Sequence, residues 1–304
     1  MMQEINEILK KNNLKPKEYK KNKSVTIIKT DAGKYAIKKR KQKKEEILNY
    51  LKIRNFDYIP EIINDINEEY EITKYIDTLQ IDLEQKIIEL IKIVALLHNK
   101  TTHFKEVTED AYKEIYEDIK NNIDHLYSYY NDIITIIESK VFMSPSEYLL
   151  ARNITMIFNS IYFSADELEK WYTIVKNKTK QRQVVLHNNL ELEHLIIGEQ
   201  TYLISWDRTK IGIPIYDIYK LYIKHGLDIE FGEILREYEK KYPLLEEEKK
   251  LLFILIALPQ KIEFNQSEYE NTKEVGKMVE YIYKSEIIRS PYYSNKRPKD
   301  NTTK

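Results

Sequence analysis

The chain has no cysteine, which removes any disulfide framework and any thiolate metal site. Only 6 of its 304 residues are glycine, and no Gly-x-Ser-x-Gly elbow, Walker loop, dinucleotide fingerprint or His-Glu-x-x-His pair occurs. Charge of one sign is not in excess. The 49 Lys and Arg stand against 49 Asp and Glu, so no net field favours nucleic acid or an anionic membrane. Long apolar runs are absent too, since residues 87–97 and 251–258 are too short or too often broken by charge to span a bilayer. The segment Met1-Met2-Gln3-Glu4-Ile5-Asn6 lacks the apolar stretch of a signal peptide. A cytoplasmic protein is expected, with no nucleic-acid and no membrane partner.

What is present is globular. Hydrophobic residues make up 42%, and the length allows two lobes or two small domains. Residues 5–20 read as a short helix followed by polar chain. Two β-rich runs, 25–30 and 34–38, flank Asp31-Ala32-Gly33 in a hairpin pattern. A charged helix is expected over 42–53, ended by Phe56-Asp57-Tyr58-Ile59-Pro60, because the residue before proline disfavours helix. Ile62-Ile63 and residues 70–76 read as two further strands. From Leu83 the pattern becomes helical, with the wide apolar stripe of a buried helix over 87–97 and a second long helix over 109–137. Ser144-Pro145-Ser146-Glu147 is a capping box with proline in the first turn. Ser164-Ala165-Asp166-Glu167 reads as another helix start. Helical pattern resumes at Tyr216 and runs to about residue 283. The basic run over 34–44 reads as a solvated face, and the 25 tyrosines as amphipathic filling of a helical lobe.

Four patches then stand out in order. Gly33-Lys34-Tyr35-Ala36-Ile37-Lys38 is a hairpin strand ending in lysine. Val94-Ala95-Leu96-Leu97-His98-Asn99-Lys100-Thr101 closes a helix. Val184-Val185-Leu186-His187-Asn188-Asn189-Leu190 runs from a buried strand into a polar loop. A turn at Gly198-Glu199-Gln200 leads to Ile204-Ser205-Trp206-Asp207, followed by Gly212-Ile213-Pro214-Ile215-Tyr216-Asp217-Ile218. Together they resemble the protein-kinase-like superfamily in its aminoglycoside phosphotransferase/choline kinase form. Within that form the pattern is most similar to the spore-coat (CotS-like) branch, over roughly residues 20–285.

The resemblance implies an α+β, bilobal protein-kinase-like fold. Its small antiparallel-sheet N-lobe would cover residues 1–76 and its large helical C-lobe residues 77–285. A catalytic-loop-like hairpin would lie at 184–207 and a polar tail at 286–304. Lys38 would hold nucleotide phosphates, with Glu45 or Glu46 as its partner, and a nucleotide would lie over the hinge near Thr73 and Tyr75. The stretch 21–25 has no glycine, unlike a phosphate-covering loop. The resemblance also marks losses. Asn189 stands where the catalytic Asp belongs, His194 where a metal-binding Asn belongs, and Ser205 where the main metal-binding Asp belongs. An amide cannot act as a general base, a role worth ~10²–10⁴-fold. Magnesium requires hard oxygen ligands, whereas Ser205 offers a neutral hydroxyl and His194 a nitrogen suited to softer metals. His187 and Asp217 would brace the loop. Asp207, two residues past Ser205, would fall on the same side of a continuing strand and could offer a carboxylate to a metal.

The expected function is a catalytically impaired phosphotransferase-fold protein, a pseudokinase, acting as a binding or assembly component. Association with spore-coat proteins is the concrete form that the resemblance implies. ATP would bind weakly if at all, and the ligand set disfavours Mg²⁺. The alternative is an active ATP-dependent kinase of a small hydroxylated or amine-bearing molecule, using Lys38 and Asp207. Read as a metal pair with Glu191 or Glu193, His187 and His194 would have to share a helix face. The Val184-Val185-Leu186 run says strand then loop, which favours braced loop histidines.

Overall fold

The structure is a computed structural model that describes residues 2–22, 25–40, 45–63 and 69–294. The chain forms two compact units, Met1–Thr101 with Val185–Ile211, and Thr102–Val184 with Gly212–Lys304. The boundary expected at residue 76 is thus not where the chain divides. The long helix after it and the 185–211 segment belong with the N-terminal sheet.

In the first unit, α1 (Met2–Lys11) precedes a four-stranded antiparallel sheet in the order β1 (Pro16–Asn22), β2 (Val25–Thr30), β3 (Gly33–Lys39), β4 (Tyr70–Lys74). One sheet face carries the core. Ile28, Ile37 and Ile72 are buried against Ile5, Ile8, Leu9 and Leu14, where the helical spacing of 5, 8 and 9 puts one apolar stripe over the strands. The β2–β3 turn closes tightly. The Ala32 N–H donates to Thr30 Oγ1 at 3.1 Å, and Gly33 takes a φ of +130° that only glycine adopts readily. β1 is a strand where the sequence suggests polar chain. Its Pro-Lys-Glu-Tyr-Lys-Lys-Asn run has no apolar face to announce it, and it pairs with β2 along the sheet edge, where lysines are the usual protection against further pairing. Ile62 makes only a single bridge, to Thr73, in place of an expected strand. The helix predicted from residue 42 is α2 (Glu45–Ile53); residues 41–44 lie outside the described ones. α3 (Leu83–Thr101) buries Ile87, Leu90, Ile91, Val94 and Leu97 as its stripe predicts.

The second unit is mainly helical: α4 (Glu109–Glu138), α5 (Pro145–Val175), α6 (Ile215–His225), α7 (Phe231–Lys241), α8 (Glu246–Ala257) and α9 (Glu268–Ser294). β5 (His103–Glu106) pairs antiparallel with β6 (Lys180–Leu186). The Ser144 box caps α5 as predicted, with both reciprocal hydrogen bonds. Residues 164–167 do not start a helix. Ser164 is buried inside α5, donating to the carbonyls of Ser160 at 3.0 Å and Ile254 at 3.2 Å. Glu167 is buried in an ion pair with Lys250 and accepts the Tyr293 hydroxyl at 3.0 Å. The polar tail expected from 286 is helix as far as Ser294, because Ile288 and Arg289 are buried; residues 295–304 lie outside the described ones. Tyrosines do fill this unit, and those at 130, 222 and 238 are fully buried. Among the described residues no helix is long and apolar enough to cross a membrane.

Candidate active site

The site is built on the end of β6. Val184, Val185 and Leu186 are buried, and the helix end matched in sequence holds this strand. Thr101 Oγ1 accepts the Val185 N–H at 3.0 Å and donates to the Leu97 carbonyl at 2.8 Å. Thr209 Oγ1 donates to the Leu186 carbonyl at 2.7 Å. The chain then turns sharply, with Asn188 in the left-handed region at φ 60°, a conformation asparagine tolerates better than most residues. The Asn188 amide donates to the Arg208 carbonyl at 2.7 Å.

His187 braces the loop. It is fully buried, its Nε2 lies 2.9 Å from the Ile204 carbonyl, and its ring meets Trp206 edge-on at 4.7 Å. A carbonyl only accepts, so Nε2 carries the proton. His194 is used in the same way, its Nδ1 donating to the Asn189 carbonyl at 2.8 Å. That contact takes one ring nitrogen away from any metal. Asn189 itself is half-buried, and its amide makes no hydrogen bond among the described residues. The short 3₁₀ turn Leu192–His194 leads into β7 (Leu195–Ile197) and β8 (Thr201–Leu203). Gly198 is required at their turn, since a Cβ there would lie 2.9 Å from Ile76 and 3.1 Å from the Asp77 carbonyl.

After β8 the strand does not continue, contrary to expectation. Ser205 adopts φ 67°, ψ 47°, and a 3₁₀ turn follows over Trp206–Arg208. Trp206 anchors it, donating Nε1–H to the Leu203 carbonyl at 2.7 Å and packing edge-on against Phe56. The turn carries Asp207 to Lys38, with Asp207 Oδ2 2.5 Å from Nζ. Lys38 follows core-facing Ile37 in β3 and therefore points from the opposite sheet face. The expected pairing with Glu45 or Glu46 is not formed. Glu45 pairs with Arg40 at 3.1 Å and Glu46 is exposed. Thr73 sits opposite Ala36 on the same face as Lys38. The Tyr75 N–H donates to the Lys34 carbonyl at 2.9 Å, and its ring lies 5.8 Å from the Lys34 ammonium. Of the basic run, Lys34 and Lys39 also have carboxylate partners, Asp77 and Glu69. The glycine-free stretch 21–25 includes residues 23 and 24, which lie outside the described ones. Asp217 is fully buried in α6.

One acid was not singled out from sequence. Glu71 lies directly opposite Lys38 in the β3–β4 register. Burial pushes its carboxyl above the usual range, Lys38 and Arg40 oppose that, and Asp207 adds to it. Its charge in a strand with apolar Ile72 marks it as facing away from the core, but only the register brings it to Lys38.

The donors suit a cation only in part. Among the described residues no three His, Asp or Glu side chains cluster as a metal site, so these residues do not supply a cage for Mg²⁺. Asp207 could meet a cation that arrives on phosphates, a common arrangement for this ion. Lys38 suits the phosphates themselves.

No protein-family model matches the chain, and no curated protein sequence does. Solved structures do. An aminoglycoside phosphotransferase from Alicyclobacillus acidocaldarius superposes with a TM-score of 0.67 at 10% identity, covering 95% of each chain. A spectinomycin phosphotransferase in complex with ADP and spectinomycin gives 0.56 at 15%, covering 93% of this chain and 98% of that one. The choline kinase LicA from Streptococcus pneumoniae gives 0.50 at 16%, covering 91% and 98%. Such identities speak to architecture, and the chain has the protein-kinase-like fold of aminoglycoside phosphotransferases and choline kinases.

Proposed function

We propose that this chain is a catalytically impaired phosphotransferase-fold protein that acts as a binding or assembly component. The observation that carries the reading is Asn189. At the loop position where a kinase of this fold needs a carboxylate, the chain presents an amide, and an amide cannot take a proton from an acceptor hydroxyl. Two further features weigh the same way. His194 spends a nitrogen on bracing the loop, and Ser205 offers only a neutral hydroxyl where a metal-binding carboxylate is expected. Phosphoryl transfer relies on positioning and charge neutralisation around the moving group, and these residues supply little of either. Lys38 remains suited to hold phosphates weakly. The spore-coat setting, and with it coat proteins as partners, rests on the residue pattern alone, as does a cytoplasmic site of synthesis.

One observation favours the other reading, an active kinase of a small alcohol or amine. The Lys38–Asp207 pair at 2.5 Å holds one cation-binding and one phosphate-binding group together. Incubation with γ-labelled ATP, Mg²⁺ and a panel of aminocyclitol and amino-alcohol acceptors separates the two. The expected result is no labelled product, with at most a small thermal stabilisation by ATP that Lys38→Met abolishes. A phosphorylated product whose formation is lost in both Lys38→Met and Asp207→Asn overturns the proposal in favour of the kinase.

A further inference from the structure

Lys38 has a second acid within its reach, and that acid stands in an unusual place. In β3–β4 the Cα partners are Ile37 with Ile72 and Lys38 with Glu71. Ile37 and Ile72 are buried in the α1-covered core, so Lys38 and Glu71 emerge side by side from the other face. Directly opposed side chains in an antiparallel pair have Cβ atoms about 4.5–5.5 Å apart, close enough for a lysine to pivot onto a glutamate. Lys38 now bonds Asp207, while the acids at the start of α2 are engaged or turned away, Glu45 on Arg40 and Glu46 in solvent.

We infer that Glu71 is the positioning residue for Lys38: it is the cross-strand acid onto which the lysine shifts when Asp207 is withdrawn. Among the described residues Asp207 is the one acid bonded to Lys38, and any cation taken up there would strip the lysine of that partner. Lys38 would then be able to swing away from the sheet face. Glu71 prevents this because its backbone is fixed by the ladder, with the flanking pairs Ile37–Ile72 and Lys39–Tyr70 in register. A residue laddered to β3 with a registered pair before and after it is a more rigid anchor than one in the first turn of a short helix such as α2. The inference rests on Lys38 as the phosphate-holding group of the proposed function, but its test does not depend on nucleotide.

The test is the rate at which an amine-reactive succinimidyl ester acylates Lys38, followed by peptide mass spectrometry. An amine held against a carboxylate is less open to the reagent than one that swings free, so an acid partner slows the reaction. In wild type, Glu71→Gln should leave the rate nearly unchanged, because Asp207 still holds the ammonium. In an Asp207→Asn background, adding Glu71→Gln should raise it about fivefold or more, because the amine is then released from its remaining partner. Glu71→Asp in that background should restore part of the protection, which a merely structural role would not do. Asp207→Ala gives an equivalent background should the asparagine variant fold poorly. Equal rates with and without the Glu71 carboxylate in the Asp207→Asn or the Asp207→Ala background overturn the inference. The proposed function is judged separately: labelled product from ATP would sink it and leave the Glu71 result standing.

Discussion

The Lys38–Asp207 contact is the most testable feature of the site, because its strength can be bounded before it is measured. The two charges sit 2.5 Å apart with their side chains 17% and 28% exposed. At that separation Coulomb's law gives about 1.7 kcal/mol in bulk water and about 7 kcal/mol at an effective dielectric of 20. Removing both ions from water offsets most of the larger figure, and holding two flexible side chains costs more again. We therefore expect a coupling of about 1–2 kcal/mol. The measurement is a double-mutant cycle in urea with Lys38→Met, Asp207→Asn and the double variant, each read as unfolding free energy. Each single variant strands one charge, so the double variant should be less destabilised than the sum of the singles. Because both groups are sheltered, raising salt to about 0.5 M should reduce the coupling by less than half. A coupling indistinguishable from zero at low salt would mean that the 3₁₀ turn does not deliver Asp207 to the lysine. The ion pair would then contribute nothing to holding that turn against β3.

Two further outcomes follow from buried charge. Glu248 pairs with Arg182 through Nε at 2.8 Å and through Nη2, and it also accepts the Leu245 N–H at 2.9 Å at the start of α8. Glu248→Ala should cost about 3–5 kcal/mol by calorimetry or urea unfolding, since the largely buried guanidinium is left without its carboxylate; a loss below about 1 kcal/mol would contradict the assigned burial. Glu71 sets a pH dependence. Burial holds its folded-state carboxyl above the ordinary value of 4.5, so the folded protein keeps a proton that the unfolded chain releases. Its contribution to stability is full below 4.5 and is lost as pH rises from there through the raised value. Glu71→Gln should remove that loss and leave the variant at least as stable as wild type at neutral pH. A variant markedly less stable at pH 7 would make the carboxylate a structural brace.

The sequence shows the fold because its signals are periodic. The α3 stripe, the β2–β3 hairpin and the Ser144 box depend on local spacing, and each forms where that spacing puts it. What it hides are features decided by partners distant in the chain. β1 lacks an apolar face and becomes a strand only because β2 offers an edge. Ser164 and Glu167 imitate a helix start, but in the folded chain they meet the Ile254 carbonyl and Lys250, 90 and 83 residues on, and the helix runs through them. The same holds at the site. His187 and Lys38 are legible from short motifs. The partner of Lys38 is not, because it depends on the backbone angle at one residue, Ser205, and on the register between two strands.

Ser205 also decides where the carboxylate of Asp207 is presented. Had the β8 strand continued, residues 205 and 207 would share a face about 7 Å apart along it. The left-handed turn at 205 folds that distance back, so that position 207 reaches Lys38 while the serine serves as a corner. Asp207 thus sits on a 3₁₀ turn pinned by Trp206, rather than at the end of a strand. An ammonium already occupies it at contact distance. A cation alone must displace Lys38, and a phosphate alone must displace Asp207, each against a charge of its own sign. Removing either partner alone therefore strands the other, so the two groups stand or fall as a pair.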